Sequence, residues 1–277
     1  MKDNTSILKA IFTYFFLILV GILLAGPFIW LFSVSIRSGG DVYRLSLLPE
    51  DLGDFTFKNF TYVMEVTNMT RAFINSILVA VMMIAGNLIL ASLAAYPLAR
   101  FKFRGRNVIL FFILSTLMIP FQLTMIPLYD VVGVFGLHDS LLGVVVPGIV
   151  SAFGIFLLRQ SYLTIPKDLH ESARIDGAGE FRIWWQIMFP LIKPALATLA
   201  IFVFVFSWGN FLWPLIVLQS PEKFTLPLEV QNLMGTFSAD FHLLAASSVI
   251  SILPVIILFL FLQRFFIEGI MAGSLKN

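Results

Sequence analysis

The side chains best suited to recognition cluster in one charged stretch near the middle of the chain. Residues 159–193 read RQSYLTIPKDLHESARIDGAGEFRIWWQIMFPLIK, and charges recur throughout. Pro166 or Asp168 can begin a helix there. Gly177 can end it, because glycine readily takes the left-handed conformation that follows a helix. A second amphipathic stretch starts at Glu180. The pattern therefore predicts a short, rigid helix followed by a sharp reversal of the chain.

Two interpretations of this predicted helix remain open from its residues alone. It could lie among lipid headgroups, with the tryptophan pair at 184–185 as interface anchors. Alternatively, it could dock into a groove on a cytosolic partner. Small side chains at Ser172 and Ala173 would then allow close approach, and Glu171 and Arg174 would supply charge pairs that define the register.

No catalytic or metal-binding pattern is predicted. The chain has no cysteine, and His138, His170 and His242 are widely spaced and expected at exposed or interfacial positions. It contains no GxSxG nucleophile elbow, so nothing indicates hydrolysis, and it contains no Gly-Lys pair, which excludes a Walker A loop for ATP. We predict no catalytic residue, no metal site and no cofactor in this chain, and any ATP must be bound by another chain.

The composition indicates where these residues lie. Apolar residues make up 59% of the 277 residues and charged residues 12%, against about 25% charged residues in soluble domains. So little charge cannot cover a soluble surface, and so much apolar character excludes a disordered chain. The balance of 18 basic and 16 acidic side chains excludes a nucleic-acid-binding surface. We expect the chain to lie in a lipid bilayer.

Six stretches without Asp, Glu, Lys or Arg are long enough to cross a bilayer once. They are 10–36, 72–99, 107–129, 140–158, 194–221 and 241–263. A hydrocarbon core about 30 Å thick needs about 20 helical residues. The runs do not alternate as strands of a membrane barrel would. We therefore predict an all-α membrane protein with six transmembrane helices in one domain, 1–277, and a fourth span that is upright or bent near Pro147.

Basic residues predict the orientation of these spans. Thirteen of the 18 Lys and Arg residues fall on the side that holds both termini and the 159–193 loop, and five fall on the other side. The positive-inside rule makes the first side cytoplasmic. The first uncharged run is longer than the apolar region of a signal peptide, which is about 7–15 residues, so a cleaved signal is disfavoured.

Polar residues within the spans are candidates for a solute pathway. Most such residues bridge helices instead, in contacts worth about 0.6–2 kcal/mol each. A solute with many hydroxyl groups needs amide partners and flat apolar faces. On this basis we choose Gln122, Asn210 and Asn87 as substrate-pathway residues.

Residues 171–190 resemble the docking motif of the permeases of binding-protein-dependent ABC importers. That motif is Glu-Ala-Ala, three residues, Gly, nine residues, Ile, any residue, Leu-Pro. The matching residues in this chain, at the same spacing, are Glu171, Ser172, Ala173, Gly177, Ile187, Phe189 and Pro190. Ser172 and Phe189 depart from it. AAYPLARFKFRGR at 94–106 and FSWGNFLWPL at 206–215 resemble the maltose-permease type, although the acid of its Trp-Asn-Asp/Glu-Phe motif is missing.

The resemblance implies a type I importer (MetI-like) fold with a cytoplasmic coupling helix at about 168–176. The chain would form a heterodimeric pore with a second permease subunit in the bacterial inner membrane, surrounded by membrane lipid. Two ATPase subunits would hold ATP and magnesium inside, and an extracytoplasmic substrate-binding protein would deliver solute outside. The residues implied in ATPase docking are Glu171, Ser172, Ala173, Arg174, Asp176, Gly177, Ala178 and Pro190.

Two further segments receive roles from the same resemblance. The outer loop 220–243 would reach into the binding protein through Leu233, Met234, Gly235 and Thr236. The tail 269–277 would reach between the ATPase subunits. The solute would be a sugar, a polyol or a glycosylated polyol.

Two other classes of function are weighed against an importer permease. A self-contained secondary carrier or channel usually has ionisable residues inside the membrane, and all six runs lack Asp, Glu, Lys and Arg. A membrane scaffold without transport activity would need no docking motif. Uptake by the chain alone would favour the carrier.

Overall fold

The computed structural model describes residues 2–38, 54–237 and 240–274, with side chains described from residue 9 to residue 261 of these ranges. This part of the chain is helical, with one isolated β-bridge between Arg37 and Phe55 and no strand. The all-α prediction is confirmed. Of the predicted tail 269–277, the residues up to Ser274 are α-helical, and residues 275–277 lie outside the described residues.

The helices follow one another along the chain with short connections between most of them. In order they are α1 (Lys2–Ser35), α2 (Lys58–Val66), α3 (Met69–Arg100), α4 (Arg106–Met118), α5 (Phe121–Val134), α6 (Leu141–Gly148), α7 (Ala152–Thr164), α8 (Lys167–Ile175), α9 (Glu180–Leu191), α10 (Lys193–Trp208), α11 (Leu212–Val217), α12 (Leu226–Thr236) and α13 (Phe241–Ser274). Two of them contain a π-helical stretch, Asn87–Ala91 in α3 and Ile183–Met188 in α9. Such stretches are frequent at functional sites.

By their internal contacts the helices group into two compact units, and the single permease domain over 1–277 stays a prediction. One is Met1–Thr70 with Val230–Leu253, and the other is Arg71–Glu229 with Pro254–Asn277. The first unit forms because segments distant in sequence pack together. In it, His242 Nδ1 lies 3.0 Å from the Val34 carbonyl oxygen. The candidate site lies in the second unit, whose core buries Leu158, Tyr162, Met188 and Leu199.

Among the residues that the structure describes, three helices are long and apolar enough to cross a membrane unbroken: Lys9–Ser35, Met69–Arg100 and Phe241–Phe261. The described residues also contain three bent helix pairs, α4 with α5, α6 with α7, and α9 with α10. Counting each pair as one span gives six spans, which agrees with the predicted number.

Proline explains the bends. The α4–α5 pair turns by 104° at Ile119–Pro120, because the residue before a proline is driven out of the helical region. The α6–α7 pair bends by 46° after Pro147, where sequence suggested a bend. The α9–α10 pair turns by 79° at Ile192, just before Pro194.

The fifth predicted run, 194–221, is not one helix. Helix α10 ends at Trp208, and residues 209–211 separate it from the short α11. Gly209 and Asn210 are weak helix formers, and Gly209 accordingly serves as the C-cap of α10. An uncharged run of sufficient length therefore does not establish an unbroken span, because charge does not report backbone breaks.

Candidate functional site

Helix α8 is the predicted coupling helix, and it is closed by its own backbone. It follows Pro166 and ends at Ile175. The Gly177 N–H donates to the Arg174 carbonyl at 3.0 Å, and the Ala178 N–H donates to the Ala173 carbonyl, also at 3.0 Å. This pair of bonds is a Schellman motif, which requires a left-handed residue. Gly177 supplies it with φ +80°.

Most of the predicted docking residues lie on the accessible side of α8 and its turn. The exposed ones are Glu171, Ser172, Arg174, Asp176 and Gly177, whereas Ala178 and Pro190 are half-buried. Ala173 is buried and faces the body of the unit. Ile175 is 85% exposed, so the free face combines charge with an uncovered apolar side chain. Such a mixed face is typical of a protein contact.

Glu180 joins α8 to the membrane helices, and sequence reasoning missed it. Tyr96 Oη donates to Glu180 Oε2 at 2.8 Å, and His170 Nε2 lies 3.2 Å from the same oxygen. Arg174 Nε donates to Glu180 Oε1. His170 is only 6% exposed, which corrects the exposed or interfacial placement expected for it. No local pattern could reveal this cluster, because Tyr96 is 84 residues away from Glu180.

A second polar cluster lies on α3 about one helical turn before Tyr96. The buried Ser92 hydroxyl accepts from Trp184 Nε1 at 2.9 Å and lies 2.6 Å from the Tyr162 hydroxyl. Trp184 is 2% exposed and Trp185 48% exposed. Trp184 is therefore a core residue with a satisfied N–H, and only Trp185 is free to act as the interface anchor that sequence suggested for both.

The second unit also contains a cavity of about 670 Å³, bordered by α3, α4, α5, α6, α7, α10 and α11. Its aromatic walls are Phe121, Phe153, Phe202, Phe206 and Trp213. Within the described part of the chain, no ionisable side chain lines it. Small-molecule sites typically measure about 300–1,000 Å³ and are mostly apolar with a few polar groups. The cavity therefore suits an uncharged ligand with flat apolar faces.

All three chosen pathway residues border this cavity, but Asn87 is fully engaged by the protein. Its Nδ2 donates to the carbonyls of Met83 at 3.1 Å and Gly148 at 2.9 Å. Its Oδ1 accepts from the Ser151 N–H at 2.9 Å. Asn87 is 1% exposed, so its amide connects α3 to the bend between α6 and α7.

Gln122 and Asn210 keep polar atoms available to the cavity. Gln122 is exposed at the start of α5. Asn210 is half-buried, and its Oδ1 accepts from the Trp213 N–H at 3.4 Å. The structure thus brings together three amides that are far apart in sequence. It also distinguishes Gln122 and Asn210, which are available to a solute, from Asn87, which is structural.

On the predicted outer side, Asp139 anchors the chain that leads into α12. Lys223 Nζ donates to Asp139 Oδ2 at 2.8 Å, and the Ser220 hydroxyl donates to the same oxygen at 2.6 Å. The Lys223 ammonium, followed by the Ser220 hydroxyl, holds the pKa of Asp139 well below its ordinary value. Among the described side chains, no group of three or more acids and histidines could hold a metal ion.

The predicted binding-protein contacts lie in the last turn of α12. Met234, Gly235 and Thr236 are exposed. Leu233 is 3% exposed, so it is unavailable for contact in this conformation. Residues 238–239 of the same outer loop lie outside the described residues.

Comparison with known proteins extends over nearly the whole chain. It is 38% identical over 274 residues to the arabinooligosaccharides transport system permease protein AraQ of Bacillus subtilis, covering 98% of this chain and 97% of that protein. It is 33% identical over 269 residues to the lactose transport system permease protein LacG of Rhizobium radiobacter, covering 97% of both. These relatives confirm the resemblance to carbohydrate importers.

A solved structure agrees with the fold. The crystal structure of a bacterial ABC transporter involved in the import of the acidic polysaccharide alginate contains a chain that matches with a TM-score of 0.83. The two are 27% identical, and the match covers 95% of this chain and 98% of that one. The type I importer fold is confirmed, and the protein is a multi-pass protein of the inner membrane.

The family assignment comes from a separate match. The sequence pattern of the family described as "Binding-protein-dependent transport system inner membrane component" matches residues 87–271, which include α8, both polar clusters and every residue that lines the cavity except Met83. The chain therefore belongs to the family of binding-protein-dependent transport system inner membrane components.

Proposed function

We propose that this chain is one half of the pore of an ABC importer for an uncharged carbohydrate or similar polyhydroxy solute. A second permease subunit completes the pore, two ATPase subunits bind ATP and magnesium, and a substrate-binding protein delivers the solute from outside. Both termini and α8 lie on the cytoplasmic side. The Lys and Arg distribution, thirteen against five, supports this orientation.

The observation that carries the proposal is the exposed, backbone-closed α8. Its Schellman turn keeps the helix short and rigid, and Glu171, Ser172 and Ile175 face away from the body. A rigid helix that is anchored on one face and exposed on the other can fit a groove on a partner and move with it. ATP binding then closes the ATPase pair, and α8 shifts the pore between inward-open and outward-open states.

The cavity supports the choice of solute. It is lined by aromatic faces and amides and has no ionisable lining residue in the described chain. Sugars stack their apolar faces on aromatic rings and hydrogen-bond to amides. Gln122 and Asn210 are the proposed contacts of the solute, whereas Asn87 shapes the wall.

The test is transport by the complete complex in proteoliposomes. The chain, its partner permease, the ATPase and the binding protein are reconstituted, and uptake of neutral oligosaccharides is followed with and without ATP. Uptake is expected only with ATP and the ATPase present. Uptake by this chain alone would instead establish the self-contained carrier.

A glycine pair in the loop provides a matched control for docking. Gly177→Val places a β-branched residue at φ +80°, where a non-glycine residue costs about 1–2 kcal/mol. The protein should stay in the membrane but lose the ATPase on co-purification. Gly179→Val is the control, because Gly179 has φ −69° and an added Cβ meets no atom within 4 Å. Normal ATPase recovery with Gly177→Val would reject α8 as the docking helix.

A further inference from the structure

Two hydrogen-bonded contacts connect α3 and α9 with matching spacing. Tyr96 bonds to Glu180, and Ser92 bonds to Trp184, so the partners are four residues apart on both helices and run in opposite directions. Residues four apart share a helix face. The two helices therefore lie side by side in antiparallel directions, with one polar contact at the loop end and another one turn deeper.

The two contacts differ in chemistry. The Ser92–Trp184 contact is neutral and buried, and Tyr162 of α7 completes it. The Tyr96–Glu180 contact is built on a carboxylate whose side chain is 34% exposed. Only this second contact also receives α8, through Arg174 and through His170, whose side chain is 8% exposed. Hydrogen bonds to a charged group are about twice as strong as neutral ones.

We infer that Glu180 is a positioning residue that passes the movement of α8 into the membrane helix α3 through Tyr96. The role presupposes that α8 is the docking helix proposed above. Residues 176–179 alone connect α8 to α9 along the chain, and two of the four are glycine. Such a connection permits rotation. The Glu180 carboxylate prevents it by bonding α8 at two points and α3 at a third.

The neutral Ser92–Trp184 contact holds α3, α7 and α9 together in the core. Ser92 and Tyr162 are fully buried, and Trp184 is almost so, which connects α3, α7 and α9 in the core. Movement that enters through Glu180 therefore acts on the inner end of α3, while the deeper contact holds the three helices together. Breaking the first contact should uncouple, whereas breaking the second should destabilise.

The test compares Tyr96→Phe, Glu180→Gln and the double variant in the reconstituted complex. Tyr96→Phe removes one hydroxyl and keeps the ring that packs on Tyr162 and His170. Each single variant should retain its ATPase subunits but transport at least about five-fold less solute per ATP hydrolysed. The double variant should be no worse than the worse single variant, because the Tyr96–Glu180 contact removed by Tyr96→Phe is one of those that Glu180→Gln disturbs.

A distance measurement separates a positioning role from a merely structural one. Spin labels at the exposed Lys167 of α8 and Leu93 of α3 report whether the two helices move together. In the wild type, ATP should leave this distance unchanged. In Tyr96→Phe, ATP should change or broaden it. Arg182→Gln is the control, since Arg182 is exposed and donates to Gln186 of its own helix.

The possible outcomes are distinct. Three results would overturn the role of Glu180. They are a normal ratio of solute transported to ATP hydrolysed in Tyr96→Phe, additive effects in the double variant, and a label distance in Tyr96→Phe that ATP does not change. Loss of the ATPase subunits from Tyr96→Phe would also overturn it, because the residue would then support docking only. Absence of ATP-driven uptake in the wild type would instead reject the proposed function. If Glu180→Gln fails to fold, Tyr96→Phe and the label distance still decide.

Discussion

The coupling loop and the cavity solve different problems with different chemistry. The loop uses charge, with Glu180, Arg174 and His170 in contact, and α8 presents Glu171 to its surroundings. The described residues that line the cavity are all neutral, namely amides, hydroxyls, aromatic rings and aliphatic side chains. Charge is tolerated at the membrane surface and costly within the hydrocarbon core. The charged contacts therefore lie where we propose that the ATPase acts, and the neutral contacts lie where we propose that the solute passes.

The two regions also differ in how they are assembled. The proposed docking face of α8 comes from one contiguous segment closed by its own backbone bonds. The cavity gathers residues from Met83 to Trp213. A local element can be altered without disturbing the rest of the unit, whereas a change in the cavity wall can affect several helices at once.

The largest effect should be a loss of stability when the cavity amide of Asn87 is removed. Such a loss would show that the three chosen amides do not all serve the solute. Asn87→Leu leaves the half-buried Ser151 N–H and Gly148 carbonyl without the amide that bonds them. Each unsatisfied group costs about 1–3 kcal/mol, so thermal unfolding in detergent should show a clear loss of stability. Asn210→Leu is the matched control and should unfold near the wild-type temperature. Equal stability of the two variants would contradict the structural role of Asn87.

The next effect tests whether the exposed face of α8 binds the ATPase. Glu171 is exposed, so Glu171→Lys should leave the fold intact. It should lower the amount of co-purified ATPase by about ten-fold, because the lysine would face the positive group with which Glu171 is proposed to pair, and two like charges weaken binding. Glu222→Lys makes the same charge change at an exposed position on the predicted outer side and should have no effect on ATPase binding. Equal recovery of the ATPase from both variants would argue against docking through Glu171.

A smaller effect tests the amides that remain available. Asn210→Ala and Gln122→Ala should each lower ATP-driven uptake of the solute by about five-fold, because one net hydrogen bond contributes about 1 kcal/mol. The unfolding temperature should not change for Gln122→Ala, whose side chain is exposed. Uptake at the wild-type rate in both variants would place the solute contacts on the partner subunit.

The smallest effect concerns the charged contact at the predicted outer side. Because Lys223 lowers the pKa of Asp139, the ionised carboxylate stabilises the fold above its ordinary pKa of about 3.9. That contribution is lost as the pH falls below this value. Asp139→Asn should lower the unfolding temperature at pH 7 by at most about 3 °C, and the difference from the wild type should shrink toward pH 3. A difference that persists at low pH would exclude the ion pair as its cause.

Much of the fold follows from patterns within short segments. Uncharged runs predicted six membrane crossings, Pro166 or Asp168 predicted the start of α8, and Gly177 predicted its end. The breaks in the third and fifth runs were not predicted. Pro120 and the Gly209–Asn210 pair interrupt runs whose hydropathy remains high, and hydropathy does not report backbone conformation.

The sequence by itself determined that this protein lies in a membrane, that it is helical, and that a short charged helix lies between two of its spans. Each of these properties depends on neighbours within one or two helical turns. Only the tertiary structure decided that His170 is buried, that Asn87 is structural and that Glu180 connects α8 to Tyr96. The physical reason is that the partners of a polar side chain come from distant segments. A satisfied amide and an available one therefore look the same in sequence.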